Sequence, residues 1–189
     1  MNGTVILVLG LVLIAVIIFW AIAAYNSMVR KKNYIQEAWS GIDNQLKRKA
    51  NIIPNLVDTI RMQTKFESDI IDKIAASRAG MLSKDRGEAM GASDAVTRML
   101  PSIMALSENY PQLGTNQSYL KLMEDVKDVE DKVAYARTRY NMCVNDYNTF
   151  IAMFPGSILA GLFRFTPEKL FEIEEKERNY ADNLRISQL

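Results

Sequence analysis

YLKLMEDVKDVEDKVAYARTRYNMCVNDYNTFIAMF, running from Tyr119 to Phe154, is the stretch whose reading decides the fold. Its residues Tyr119, Met123, Val126, Glu130, Val133, Arg137, Tyr140, Val144, Tyr147, Ile151 and Phe154 recur at alternating four- and three-residue steps. On a helix that spacing gathers one stripe on one side, and the stripe must be covered by other helices. Thr115, Asn116 or Ser118 is placed to cap its start, and Phe154-Pro155-Gly156 ends it.

Upstream, Ile35, Trp39, Ile42, Leu46, Ile53, Leu56 or Val57, and Ile60 follow the same rhythm, so a first long helix with one buried stripe is predicted. Pro54 lies inside it and brings no N–H, which predicts a kink near residues 50–54 or a break. The stripe fades through Phe66, Ile70, Ile71, Ile74 and Ala75 toward Gly80, a candidate helix C-cap. Residues 80–92 hold three glycines and the charge run Lys84-Asp85-Arg86, and read as a connection. A shorter helix is expected from about Ser93 to Asn109, burying Val96, Met99, Leu100, Ile103, Met104 and Leu106 and stopped by Tyr110-Pro111. The fold class is therefore all-α: an N-terminal transmembrane helix continuing into an antiparallel bundle of about four helices.

That transmembrane helix is read from VILVLGLVLIAVIIFWAIAA, Val5 to Ala24, which carries no charge. At about 1.5 Å per residue it matches a hydrocarbon core of roughly 30 Å. Trp20 and Tyr25 stand near its end, where amphipathic rings favour the headgroup level. The cluster Arg30, Lys31 and Lys32 follows, which by the positive-inside rule sets residues 1–4 outside and the C-terminal domain in the cytoplasm. A cleaved signal peptide is the competing reading, since Ala21-Ile22-Ala23 resembles a cleavage site; the leader's lack of a basic side chain and the length of the apolar run argue against it. The organisation expected is a span at residues 5–25, a helical bundle at 26–165, and a charged helical tail at 166–189. Ile158, Leu159, Leu162, Phe163 and Phe165 either close the end of the bundle or lie in the membrane interface.

Composition narrows the function. Histidine is absent, which removes the usual base near neutral pH and the commonest transition-metal ligand. The single cysteine, Cys143, has no partner for an intrachain disulfide or a zinc site and reads as a buried, inert thiol. With 23 Lys and Arg against 22 Asp and Glu, nothing global favours nucleic acid. Glycine-rich phosphate loops are missing from the sequence, and no catalytic, cofactor or metal residues are assigned.

Two ionisable residues, Glu130 and Arg137, occupy seam positions where leucine would pack more simply. Each needs a partner on a facing helix, with Asp43, Asn44, Gln45 and Arg48 as candidates. A buried polar network that fixes helix register is one reading and a small-ligand or ion site is the other. The acidic run Glu124, Asp125, Asp128, Glu130, Asp131 is scattered around several helical faces and reads as solvated. Asn141, Asn145 and Asn148, beside Tyr140 and Tyr147, form a polar stripe suited to hydrogen bonds across helices.

AWSGIDNQLKRKANIIPNLV (Ala38 to Val57) and NYPQL (Asn109 to Leu113) followed by ARTRYNMCVNDYNTFIAMFP (Ala136 to Pro155) resemble the signatures of the LemA family. FRFTPEKLFEI (Phe163 to Ile173) is a weaker match, because the family tends to show glycine at the position of Arg164 and an aromatic near Leu170. The resemblance implies a membrane-anchored helical bundle in a bacterial cytoplasmic membrane and supplies no catalytic or cofactor residues. A magnetosome protein belongs to the same family, which is compatible with a role in organising membranes. Two functions follow as expectations: a non-enzymatic scaffold whose partners are the bilayer and a second copy or another membrane-associated protein, or a sensor that binds a small ion or metabolite in the polar seam.

Overall fold

Helical periodicity dominates the sequence, and the computed structural model, which describes residues 3–64 and 69–171, is all-α. The helices are α1 (Gly3–Thr64), α2 (Asp69–Met81), α3 (Arg86–Asn109), α4 (Pro111–Gly114), α5 (Gln117–Ala152) and α6 (Gly156–Leu162). By their contacts the residues form two compact units, Ala38–Arg137, and Met1–Glu37 together with Thr138–Leu189.

In the unit Ala38–Arg137, the expected stripes are the core. Ile42, Leu46, Ile53, Leu56 and Ile60 of α1 are buried, as are Val126 and Val133 of α5. Ile71, Ile74 and Met81 of α2, Val96, Ile103 and Leu106 of α3, and Leu113 of α4 complete the apolar interior, while Met104 faces outward. Directions follow from the contacts. Arg78 of α2 reaches Ala50 and Arg61 reaches Asp72, so α2 runs back along α1. Tyr119 bonds Ile103, and Arg137 bonds Asp94, so α5 is antiparallel to α3.

Three expectations about this unit are corrected. The first helix does not continue toward Gly80: it ends at Thr64, and α2 is a separate element of opposite direction. The apolar stripe persists across the reversal because α2 buries the same kind of face. The connection expected at residues 80–92 is shorter, since α3 begins at Arg86. There the Asp85 carboxylate accepts from the Glu88 N–H and the Ser83 hydroxyl donates to Glu88, so the charged run caps a helix N-terminus. Gly80 is a packing residue, because a Cβ there would stand 2.7 Å from that of Ala92. Finally, of the kink or break allowed for at Pro54, the break does not occur: α1 is unbroken there. Proline removes the N–H owed to the carbonyl four residues back, that of Ala50. The Arg78 Nε donates to that carbonyl at 3.1 Å, so α2 supplies what Pro54 lacks.

In the unit formed by Met1–Glu37 and Thr138–Leu189, α5 runs antiparallel to α1, as the pairs Lys31–Asp146 and Arg139–Glu37 show. Its core is Ala24, Met28 and Ile35 of α1, Tyr140, Val144, Tyr147 and Ile151 of α5, and Leu159 and Ala160 of α6. Phe154, expected in the seam, is exposed, because α5 ends at Ala152 and the stripe ends with it. Leu159 packs into this core while Ile158, Leu162 and Phe163 are exposed. The tail expected to be helical is not so over residues 166–171, and residues 172–189 lie outside those described. Cys143 is half-buried rather than enclosed.

Candidate functional site

The polar positions of the sequence resolve into two constructions, one in each unit. The first is built on the step pattern of α1. Ile35, Trp39, Ile42, Leu46, Ile53, Leu56 and Ile60 leave one slot of the four-three rhythm empty, and Lys49 stands in it. Helical geometry thus places a lysine on a buried face. Its side chain is 0% exposed, and its ammonium meets the Glu130 carboxylate at 2.5 Å. The same nitrogen donates to the Ser93 carbonyl at 2.8 Å and lies 2.9 Å from the Ser93 hydroxyl and 3.1 Å from that of Thr97. Thr97 in turn lies 3.0 Å from both oxygens of Glu130. Two helix turns further along α5, Arg137 pairs with Asp94.

Burial is the strongest influence on Lys49 and pushes its pKa below the ordinary value, with Glu130 and then Asp94 pulling it up and Arg137 pushing it down. The pair is close, yet the cost of desolvating the ammonium exceeds the attraction of the carboxylate. Such a cluster costs free energy relative to apolar packing, and a shift of α1 by one step would separate the buried Lys49 from the partly buried Glu130.

Of the seam residues singled out in the sequence, Glu130 and Arg137 belong to this network, with Lys49 and Asp94 as partners. Asp43 pairs with Lys47 on its own helix at 2.6 Å, and Arg48 forms an outer pair with Asp128 at 3.1 Å. The residues missed altogether are Ser93, Asp94 and Thr97. Lys49 was detectable as the occupant of the empty slot, whereas the α3 residues had no comparable signal. Glu124 and Asp125 pair with Lys121, and among the described residues no group of three or more acidic or cysteine side chains is placed to hold a metal ion.

The second construction is a clamp. Tyr140-Asn141 and Tyr147-Asn148 repeat the same dipeptide at a seven-residue interval on α5. The Tyr147 hydroxyl donates to the Thr166 carbonyl at 3.1 Å, and the Asn148 carboxamide both donates to the Glu168 carbonyl and accepts from its N–H, at 2.8 and 2.9 Å. Three residues on, the Tyr140 hydroxyl reaches the Lys169 carbonyl, and Asn141 brackets Phe171 at 2.8 and 2.9 Å. Seven helical residues advance about 10.5 Å and three extended residues about 10 Å. The repeat therefore measures out an extended segment in steps of three and satisfies its main chain as a neighbouring strand would. The asparagines bond a non-helical backbone rather than another helix, and Asn145 is exposed.

Near the end of the apolar stretch, Tyr25 packs edge-on against Phe163 and Phe165, with ring centroids 4.9 and 5.7 Å apart. Trp20 is exposed. Arg30 donates to the Ser27 hydroxyl, Lys31 pairs with Asp146 at 2.6 Å, and Lys32 lies 3.8 Å from Glu168. The side chains from Val5 to Phe19 are exposed throughout, on a helix long and apolar enough to cross a membrane.

An all-α protein with one such helix at its N-terminus, its buried charges matched to one another, is the class these observations define. The chain belongs to the LemA family, whose model matches residues 38–183. It is similar to Protein LemA of Metamycoplasma hominis, 22% identical over 92% of this chain and 80% of that one. It is also similar to Magnetosome protein MamQ of Magnetospirillum gryphiswaldense, 23% identical over 90% of this chain and 73% of that protein. Magnetosome protein MamQ 2 of Paramagnetospirillum magneticum is 23% identical over 78% of this chain, which spans 64% of that relative.

Proposed function

We propose that the protein is a non-enzymatic, membrane-anchored scaffold, whose helical part lies in the cytoplasm of a bacterium and assembles with further copies or with another membrane protein. The observation that carries this reading is that Lys49, Glu130, Ser93 and Thr97 bond one another, while among the described residues Arg137 Nε and Gln45 Oε1 are buried without a partner. Groups committed to each other hold a shape and are not free to bind a substrate. The apolar run at Val5–Ala24 and the basic cluster at Arg30, Lys31 and Lys32 support anchoring in the inner membrane with the domain inside. The relatives named as magnetosome proteins are consistent with work at a membrane-bounded structure. Measuring the mass of the full-length protein in nanodiscs tests the reading: an assembly of defined copy number or a stoichiometric partner is expected, and a bare single copy under all conditions contradicts it.

The sensor alternative would require Glu130 to exchange Lys49 and Thr97 for a ligand, and the short bonds to both speak for the register lock instead.

A further inference from the structure

The residues from Met153 to Phe163, MFPGSILAGLF, carry no charge, and they split cleanly by exposure. Gly156, Leu159 and Ala160 are buried, with Gly156 seated so closely that a Cβ would stand 2.6 Å from the Phe150 carbonyl oxygen and 3.8 Å from the Met28 side chain. On the other side, Met153 is 61% exposed, Phe154 80%, Ile158 63%, Leu162 71% and Phe163 51%. Ile158 and Leu162 are spaced by four and share one face of α6, while Met153 and Phe154 lie in the turn before it and Phe163 just after it. Five large exposed apolar side chains within eleven residues are of the kind that soluble surfaces avoid.

What covers the patch is indicated by where it lies on α1. Phe163 and Phe165 pack on Tyr25, and Gly156 approaches Met28. Val5–Ala24 is the uncharged run that matches the thickness of a hydrocarbon core, so Tyr25 and Met28 fall within the first turn beyond it, at the level of the headgroups. The basic groups Arg30, Lys31 and Lys32 follow within two turns, and Arg164 borders the patch itself. An apolar face at that height, followed directly in sequence by Arg164, has the chemistry of an interfacial helix.

We infer that Met153–Phe163 is a second membrane contact, with α6 lying in the lipid interface beside the span and inserting Phe154, Ile158 and Leu162 among the acyl chains. The inference rests on the membrane-anchored reading and deepens it. A single span fixes depth and leaves rotation about its axis free; a lateral interfacial face fixes which side of the domain meets the bilayer.

The test uses full-length protein carrying Cys143→Ser, reconstituted into vesicles of phosphatidylethanolamine and phosphatidylglycerol. A single environment-sensitive fluorophore is placed at Ile158→Cys, at Leu162→Cys, at Ile17→Cys within the span, or at Arg139→Cys as an aqueous reference. Labels at positions 158 and 162 are expected to emit blue-shifted light, to resist iodide, and to be quenched by lipids doxyl-labelled near the headgroup. The label at position 17 is expected to be quenched best by lipids labelled deep in the chain. If 158 and 162 are iodide-accessible while 17 is lipid-quenched, the span stands and the interfacial contact is overturned. Labels that neither iodide nor lipid quencher reaches are covered by protein, a second copy included, which overturns it as well. An iodide-accessible label at position 17 removes the anchor and the inference together.

Discussion

At the scale of single residues, Lys49 shows how one side chain converts a generic apolar stripe into a specific one. Lys49→Met leaves the partly buried Glu130 without its cation, a change expected to cost about 2–3 kcal/mol, read from thermal unfolding of the reconstituted protein. Adding Glu130→Leu is expected to recover most of that loss, because the pair as a unit contributes little net stability; a double variant as unstable as the single one contradicts the assignment. The pH dependence has a definite sign. Because the folded-state pKa of Lys49 is lowered below 10.5, the unfolded chain holds more protons between the two values, and stability rises with pH across that window. Its contribution is present above the unfolded value and is lost as pH falls through the folded one. Lys49→Met removes that slope. Arg164 carries a different residue-scale signature, a φ of 57°, in the left-handed region that costs a side-chain-bearing residue about 1–2 kcal/mol. The glycine that the family tends to place there adopts this conformation without that cost.

Element-scale behaviour turns on what each helix supplies to its neighbour. The bond from Arg78 to the Ala50 carbonyl exists because Pro54 does not provide one. Arg78→Ala is expected to destabilise by about 1 kcal/mol in the native sequence and by clearly less beside Pro54→Ala, where the helix regains its own donor. Equal losses in both backgrounds would show that Arg78 acts through something else. The clamp makes a parallel case. Replacing Asn141 and Asn148 by alanine is expected to speed amide hydrogen exchange at Phe171 and Glu168 several-fold while leaving the exchange of α5 unchanged, as about 1 kcal/mol per lost bond implies. Unaltered protection at those two amides contradicts the clamp.

The same elements show what the sequence reveals and where it is silent. Step patterns named the buried faces of α1 and α5 nearly residue by residue, because heptad spacing reports directly on helix packing. That α2 runs opposite to α1 was invisible: Ile70, Ile71 and Ile74 keep helical spacing, and the sequence holds no glycine or proline from residue 55 to residue 79 to mark the change of direction. Gly87 and Gly91 suggested a loop where α3 already runs, since the Asp85 cap overrides their weak propensity. Of the polar seam, α5 declared its charges by their position, but Ser93, Asp94 and Thr97 are ordinary surface types whose burial depends on which helix faces them. The clamp was half legible, as a tyrosine-asparagine repeat whose partner backbone no periodicity announces.

On the scale of the whole molecule, the chain joins an apolar N-terminal helix, a helical domain with a Lys49–Glu130 pair in its interior, and membership of the LemA family. The scaffold we propose transmits position and contact, and its activity lies in what it gathers at the membrane. Native mass spectrometry of the full-length chain, released from nanodiscs loaded at several protein-to-lipid ratios, addresses that claim most directly. The expected result is one assembly of fixed copy number, or a fixed complex with a second protein, that persists as the ratio falls. A single unaccompanied chain at every ratio would contradict the scaffold.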